Sequence, residues 1–293
     1  MIVQCLTWFA WTIIGLVVGI CCESRAEAPQ VTRLLPAGGK RGTAFEVTAV
    51  GKFAPWPVVV TDSSGGLNWQ PAGDAGKFQV TIAEDAPLGV HWLRFSSADG
   101  AAKLKPFIVG SYPEQNEQEP NEAVKQATVI SSFPIAINGV LEQARDVDTF
   151  AVDLEEGQQL VATLTANEEL ASPVDACMQV LDAKGFVVAQ NLDAHNLDPQ
   201  IVYQAKQSGK YLVRVFGFPS APDSTIAFSG SNQYVYRLTL TAAAHVESPM
   251  PPAVSAVADT TLSWVGYNSP MPGSRTVTSA EATEALEDYR LRS

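Results

Sequence analysis

Cysteine is scarce in this 293-residue chain, and its placement excludes a disulfide framework. Three of the four cysteines lie within the first 22 residues, so Cys177 stands alone in the remainder. One thiol has no partner within its own chain. Because Cys177 lies in an alternating segment typical of a strand, we interpret it as a buried thiol and not as a nucleophile.

Positively charged residues are also few. The chain has 19 lysines and arginines against 31 aspartates and glutamates, which gives a net charge of -12. A surface of that sign repels the phosphates of nucleic acids and of anionic lipids. We therefore predict no nucleic-acid partner, and we expect cations or cationic surfaces as ligands.

Recognisable catalytic motifs are missing. The sequence contains no H-E-x-x-H zinc motif, no G-x-S-x-G nucleophile turn and no G-x-G-x-x-G phosphate loop. Of the three histidines, His91 is predicted to be a packed or surface residue of a strand and not a catalytic one, and His195 is predicted to lie in a polar turn. The neighbours Asp193 and Asp198 leave a metal site at His195 open as the alternative. We predict that the chain is not an enzyme.

The N-terminal segment predicts export. Residues 5–22 carry no charge, and small residues in "AEA" at 26–28 provide a cleavage site, so residues 1–28 are predicted to be a signal peptide. No lysine or arginine precedes the apolar run. That run is long enough to stay in the bilayer as an anchor, which is the only membrane contact we expect. The predicted location is periplasmic, cell-surface or extracellular.

The remaining pattern is all-β and predicts two β-sandwiches in tandem, an immunoglobulin-like one and then a jelly-roll-like one. In "TAFEVTAVG", Phe45, Val47 and Ala49 alternate with polar residues, as in a half-buried strand. Similar runs separated by turn residues predict further strands in the first sandwich, residues 29–110, at 57–60, 77–83, 89–96 and 105–110.

The second predicted sandwich, residues 119–245, follows a polar linker at 111–118. Its strands are predicted at 133–139, 148–154, 158–166, 176–183, 186–191, 199–205, 209–217 and 234–242. Residues 246–293 lose the alternation and are predicted to form a flexible tail with a short helix. Thr278 and Glu281 have the spacing of a capping box at its start.

Two family resemblances accompany this pattern. "VTRLLPAGGKRGTAFEVTAVGKF" and "DAPLGVHWLRF" resemble an IPT/TIG-type immunoglobulin-like domain. "EPNEAVKQAT", "INGVLEQARDVDTFAVDLEEGQQLVATL", "VLDAKGFVVAQN", "SGKYLVRVF" and "YRLTL" occur in the order of the bacterial pre-peptidase C-terminal (PPC) domain. The second resemblance implies a non-catalytic accessory module for secretion, positioning or binding.

Acidic residues cluster around the start of the second sandwich. They comprise four side chains in one short segment and two near the next strand: Glu117, Glu119, Asn121, Glu122, Asp146 and Asp148. Calcium binds six to eight such oxygens. A straight strand would spread Glu117 and Asn121 over about 13 Å, so a site for one ion requires the chain to curl near Pro120.

Two interpretations of this cluster stay open on the sequence alone. The first is a calcium site, which the PPC resemblance also implies, because similar collagen-binding modules of clostridial collagenases bind calcium through an acidic N-terminal segment. The second is helix capping, with Asn121 as the N-cap of a helix over "EAVKQAT" and the acids at the positive end of its dipole.

The predicted function is that of an exported, non-catalytic accessory or binding protein, whose partner is an extracellular protein or polysaccharide. The alternative is the non-catalytic N-terminal part of a longer secreted, subtilase-type serine peptidase. Four tyrosines are candidates for contacts with a polymer, although packing inside the sandwich also explains them: Tyr203, Tyr211, Tyr234 and Tyr236.

Overall fold

A computed structural model describes residues 27–219, 227–268 and 272–283. The described residues form 22 strands, a four-residue helix and the first turn of another helix at 279–283. The prediction of a signal peptide or anchor at residues 1–28 falls almost wholly outside these ranges. Among the described helices, none has the length and apolar character needed to cross a bilayer.

The first sandwich is built from nine strands. They are β1 (Gln30–Leu35), β2 (Gly38–Lys40), β3 (Ala44–Lys52), β4 (Val59–Asp62), β5 (Leu67–Pro71), β6 (Lys77–Ile82), β7 (Gly89–Ser97), β8 (Gly100–Ala101) and β9 (Lys105–Gly110). Sheet A has the order β1-β3-β6-β5, and sheet B has the order β2-β9-β7-β4 with β8 beside β7.

Residues that the alternating pattern predicts to face inward lie in the core of this sandwich. Val47 and Ala49 are buried, and Trp69 packs edge-on to Phe78 with their ring centroids 5.6 Å apart. Each fully buried aliphatic or phenyl side chain contributes about 1.5–3 kcal/mol relative to exposure. The all-β sandwich prediction is confirmed here, whereas membership of the IPT/TIG family stays a prediction.

His91 is a core residue of the first sandwich, which is the packed one of the two predicted alternatives. Its ring is 1% exposed, with Nδ1 2.9 Å from Asp62 Oδ1 and Nε2 2.8 Å from the Pro87 carbonyl oxygen. Both partners accept hydrogen bonds, so both ring nitrogens are occupied in holding β4, β7 and the loop before β7 together.

The second sandwich is built from ten strands and one helix. They are β10 (Glu114–Asn116), β11 (Thr128–Ile130), β12 (Ile135–Val140), β13 (Val147–Leu154), β14 (Gln159–Thr165), α1 (Asn167–Leu170), β15 (Ala176–Leu181), β16 (Val187–Asn191), β17 (Gln200–Gln204), β18 (Gly209–Gly217) and β19 (Val235–Thr241). Sheet C has the order β10-β12-β19-β14-β17, and sheet D has the order β11-β13-β18-β15-β16.

The four tyrosines belong to the core of the second sandwich or pack against it, as the packing interpretation expects. Tyr203, Tyr211 and Tyr236 are buried, and Tyr234 packs against the same cluster. The rings of Tyr203 and Tyr211 lie 5.5 Å apart between the sheets. Packing therefore explains these residues, and the idea that they form an aromatic contact surface is wrong.

The predicted linker at 111–118 contains a strand. β10 pairs in parallel with β12, with Glu114 opposite Ala136, so this segment forms the edge of sheet C. Its sequence, "EQN", has no apolar alternation because the strand lies at an edge and is fixed by polar contacts. One of them is the ion pair between Glu114 and Arg237 of β19.

The predicted flexible tail also contains strands. β20 (His245–Met250), β21 (Thr260–Tyr267) and β22 (Arg275–Val277) form an antiparallel sheet. The capping box is present: the Thr278 N–H donates to Glu281 Oε2 at 2.8 Å, and the Glu281 N–H donates to Thr278 Oγ1 at 3.3 Å. Residues 284–293 lie outside the described ranges, and the domain boundaries as a whole stay a prediction.

The two sandwiches meet in a small mixed interface. Ala37 and Ile108 of the first sandwich share an apolar cluster with Val140 and Val235 of the second. The Ala37 N–H donates to Asn138 Oδ1 at 3.2 Å. These contacts place the start of sheet C, where the acidic residues lie, close to the first sandwich.

Candidate metal centre

The acidic residues come together where the chain passes from sheet C to sheet D. Glu117 follows β10 and is fixed from β12, since its N–H donates to the Asn138 carbonyl at 2.9 Å and its Oε1 accepts the Val140 N–H at 2.6 Å. Asp146 lies just before β13, and Asp148 is the second residue of that strand. The β12–β13 connection therefore brings both aspartates to the segment that follows β10.

The side chains form two overlapping groups. Carboxylate oxygens of Glu117, Glu119 and Asp148 lie within 4.8 Å of one another, and those of Glu119, Glu122 and Asp146 do so as well. Glu119 belongs to both groups. The curl expected near Pro120 is present, and the Glu119–Pro120 peptide bond is cis. All five predicted acidic residues are thus neighbours, in an arrangement that gathers negative charge.

Asn121, the sixth predicted residue, tests the helix-capping interpretation. It is fully buried, and neither atom of its side-chain amide has a hydrogen-bond partner among the described residues. Residues 121–127 form turns and bends instead of a helix. The prediction that Asn121 caps a helix is therefore wrong, because no helix begins there.

Asp148 shares this unusual state with Asn121. It is 0% exposed, and its Oδ1 likewise has no partner within the described part of the chain. A buried polar group without a partner costs about 1–3 kcal/mol, and more if it is charged. Such groups in native proteins point to water or an ion that completes their contacts.

Tyr236 was not predicted as a site residue, yet its hydroxyl lies between two of the carboxylates. It is within hydrogen-bond distance of Glu117 Oε2, at 2.9 Å, and of Asp148 Oδ2. The sequence signal was weak, because strand alternation only shows that Tyr236 points inward. Its position depends on β19 pairing with β12, which sets Tyr236 opposite Gly139.

Gly139 makes room for this contact. A Cβ atom at this position would overlap the Tyr236 ring and approach Glu117 Oε2 to 2.5 Å. No side chain fits there unless the tyrosine or the glutamate moves. The glycine is therefore required for the close packing of the hydroxyl and the two carboxylates.

Burial makes negative charge costly throughout the cluster. It raises the pKa of Glu117 to about 7, and together with the charge of Glu117 it raises the pKa of Asp148 well above its usual value. Burial and neighbouring carboxylates also raise the pKa values of Glu119 and Asp146. A cation among these oxygens would favour the charged carboxylates and so lower these pKa values.

Two other sequence candidates have structural roles. Cys177 is buried, and burial raises the pKa of its thiol to about 11, so it is protonated and not a nucleophile at neutral pH. His195 and Asp198 form the predicted polar turn, in which the His195 N–H donates to the Asp198 carbonyl at 2.9 Å. The Asp198 carboxylate caps α1, accepting the Asn167 N–H at 2.7 Å.

The donor set suits a hard cation. The two groups offer carboxylate oxygens, and Asn121 offers the oxygen of its side-chain amide. Calcium prefers such oxygens in numbers of six to eight, and waters commonly complete the shell. The residues present therefore fit a calcium ion.

Comparison with solved structures gives distant likenesses. The pre-peptidase C-terminal domain of a collagenase from Bacillus anthracis is 16% identical, with a TM-score of 0.30, and the match covers 43% of this chain and all of that one. Two SGBP-B proteins are less similar in sequence. The one from the mixed-linkage glucan utilization locus of Bacteroides ovatus, in complex with a heptasaccharide, is 9% identical with a TM-score of 0.24.

The other, from a complex xyloglucan utilization locus in Bacteroides uniformis, is 10% identical with a TM-score of 0.24. The matches cover 73% and 74% of this chain, and 74% and 72% of the two SGBP-B chains. These likenesses are too distant to assign a function. No curated protein matches the chain.

The family comparison is more specific. Residues 146–217 match the bacterial pre-peptidase C-terminal domain. The matched segment begins at Asp146, runs from β13 to β18 and includes most of sheet D. The match to this family therefore lies wholly within the second sandwich.

Proposed function

We propose that this chain is an exported, non-catalytic binding protein whose second sandwich holds calcium at the acidic cluster. The observation that carries the proposal is the buried, unpartnered state of the Asn121 amide and of Asp148 Oδ1, beside carboxylates with raised pKa values. Calcium would supply the missing contacts and the missing positive charge in one step.

The ligands are the six residues expected from the sequence: Glu117, Glu119, Asn121, Glu122, Asp146 and Asp148. Because Glu119 belongs to both carboxylate groups, it would bridge two ions if both groups were filled. Magnesium is a poorer fit, since it requires a tighter octahedral shell and keeps its waters.

The non-catalytic part of the proposal rests on where the reactive side chains lie. Both ring nitrogens of His91 are hydrogen-bonded in the core of the first sandwich, and the Cys177 thiol is held protonated. Neither can serve as the base or nucleophile of a covalent mechanism in that state.

We propose that the partner, an extracellular polysaccharide or protein, binds in an open cleft of about 560 Å³. The cleft lies between the outer face of sheet C, the start of β20 and residues 109–112 of the first sandwich. Hydroxyl groups of Thr163, Thr165 and Thr239 and the ring of Tyr112 line it. Hydroxyls and an aromatic face suit a chain of sugars, which offers many hydroxyl groups and apolar ring faces.

The family description favours a second candidate. A pre-peptidase C-terminal domain can also belong to the non-catalytic part of a longer secreted serine peptidase. That candidate keeps the same calcium site and differs in what the reading frame encodes after Ser293. A catalytic domain encoded there would favour it over a free-standing binding protein.

Calcium should stabilise the folded chain, and the double variant Glu119→Gln/Asp146→Asn should abolish that effect. Binding to the folded form alone raises the free energy of unfolding by about 2.7 kcal/mol at a hundredfold excess of free calcium over Kd. The amides keep the shape of the site but remove two charges. The measurement is the melting temperature with calcium, with magnesium and with a chelator.

The matched control is Glu46→Gln/Asp99→Asn, which removes two exposed charges from the first sandwich. It should respond to calcium as the wild type does. A wild-type melting temperature that is the same with calcium and with chelator would refute the calcium site.

The calcium effect should grow as pH rises from 5 to 8. The raised pKa of Glu117, about 7 against an ordinary 4.5, means that the folded metal-free chain holds more protons than the unfolded chain between these values. Its stability therefore falls as pH rises, by about 1.4 kcal/mol per unit for each extra proton. Calcium replaces those protons, so melting curves with and without calcium should diverge at higher pH. A calcium-induced rise in melting temperature that is equal at pH 5 and pH 8 would contradict this expectation.

Gly139→Ala should destabilise the metal-free chain and lower its calcium response. The added methyl group would displace Tyr236 or Glu117, and overpacking of this kind costs about 1–3 kcal/mol. Urea unfolding and calcium titration measure the two effects. Gly273→Ala is the control, because a Cβ at that position has no neighbour within 4 Å. Equal calcium affinity in Gly139→Ala and wild type would show that this packing does not shape the site.

Thr165→Trp should block the cleft and weaken polymer binding at least tenfold. The measurement is affinity electrophoresis through a panel of soluble polysaccharides and denatured extracellular-matrix proteins. Gln190→Trp, on the exposed strand β16 of sheet D, is the control for an added aromatic ring. If Thr165→Trp is retarded as strongly as wild type, or if no polymer retards the wild type, the cleft is not the binding surface.

A further inference from the structure

Two of the three histidines line one cavity, beside strands β14 and β17 of sheet C. The cavity has a volume of about 300 Å³. His195 comes from the β16–β17 loop and His245 from the start of β20. Three glutamates, none of them in the calcium cluster, share the lining: Glu168, Glu169 and Glu247.

Asp198 fixes two walls of this cavity. Its carboxylate accepts the N–H groups of Ala166 and Asn167 at 3.0 and 2.7 Å, which positions α1 and its glutamates. Its backbone N–H and carbonyl both bond to His195 at 2.9 Å, which closes the turn that carries the imidazole. Because the carboxylate is already occupied by backbone donors, Asp198 positions other groups and is not itself a ligand.

The third wall is β20, which carries His245 and Glu247. The side-chain amide of Asn268, at the end of the paired strand β21, donates to the Gln159 carbonyl at 3.3 Å and to the Ala243 carbonyl at 3.0 Å. These bonds tie the sheet of β20 and β21 to β14. His245 is thereby held opposite His195 by a separate part of the fold.

The His245 imidazole favours the neutral form that binds metals. Burial is the main cause that lowers the pKa of His245, and the nearby His195 lowers it further, while Glu247 acts in the opposite direction. A neutral ring offers a nitrogen lone pair at neutral pH. In contrast to His91, neither ring makes a side-chain hydrogen bond to another residue in the described parts of the chain.

We propose that His195, His245 and Glu247 bind a divalent transition-metal ion of the Zn²⁺ type, with water in the remaining position. Two imidazoles and a carboxylate form a ligand set that suits zinc and not calcium, which prefers oxygen alone. The three ligand atoms are not within 4.8 Å of one another in the metal-free arrangement, so the side chains turn toward the ion when it binds. The ion would fasten the β20–β21 sheet to the second sandwich.

Calorimetric titration of Zn²⁺ into the purified chain, with saturating calcium to occupy the acidic cluster, tests this site. We expect one zinc ion per chain, and at least tenfold weaker binding in both His195→Gln and His245→Gln. Asp99→Asn, which removes an exposed charge from the first sandwich, should bind zinc as the wild type does. Wild-type affinity in either histidine variant, or no zinc binding by the wild type, would overturn the proposal.

Imidazole NMR signals of the wild type provide a measurement that needs no variant. The chain has three histidines, and His91 is buried far from this cavity in the first sandwich. Zinc should shift the signals of two imidazoles and leave the third unchanged. Zinc-induced shifts in none of the three, or in His91 alone, would place the ion elsewhere and contradict the assignment.

Discussion

The main constraint on this structure is that the Tyr236 hydroxyl, with one hydrogen, lies between two buried carboxylates. Glu117 and Asp148 lie side by side in the interior, and both are within reach of the Tyr236 hydroxyl. That hydroxyl has one hydrogen and can donate to only one of them. The other carboxylate must share a proton or contact a cation, because two adjacent buried negative charges repel each other at low dielectric. In the metal-free chain a bound proton meets this requirement, as the raised pKa values indicate. In the proposed calcium-bound chain the ion meets it.

The same strands that hold the cluster also join the two sandwiches. Glu114 lies three residues before Glu117 on the same segment, and it accepts hydrogen bonds from Arg237 and from Asn138 Nδ2, the latter at 2.9 Å. Asn138 also accepts the Ala37 N–H of the first sandwich. Gly38 leaves space for the Arg237 side chain, since a Cβ there would lie 2.7 Å from Nε. The acidic cluster and the interface between the two sandwiches therefore share β10, β12 and β19. A substitution that shifts these strands at one of the two places would also affect the other.

The sequence predicted the longer strands rich in apolar residues and missed several short or polar ones, among them β1, β2, β5 and β11. Apolar runs placed β13 and β18 correctly, and most residues of both strands are buried. β10 was missed because an edge strand held by polar contacts shows no alternation. Strands β20 to β22 were missed because their sheet buries little beyond Leu262 and includes Pro249. The acidic residues were identified from residue type, spacing and the PPC resemblance, but Tyr236 was not, because its place depends on long-range pairing with Gly139.

A crystal structure of the chain grown with calcium, with anomalous scattering measured at a long wavelength, tests the central claim most directly. The account predicts an anomalous peak between Glu119, Asn121 and Asp148, with ligand oxygens at about 2.3–2.6 Å from it. It also predicts that the side-chain oxygen Oδ1 of Asn121 and Oδ1 of Asp148 both contact the ion. A water molecule at that position in calcium-containing crystals, with the carboxylates still clustered around it, would contradict the claim that a cation holds the cluster together.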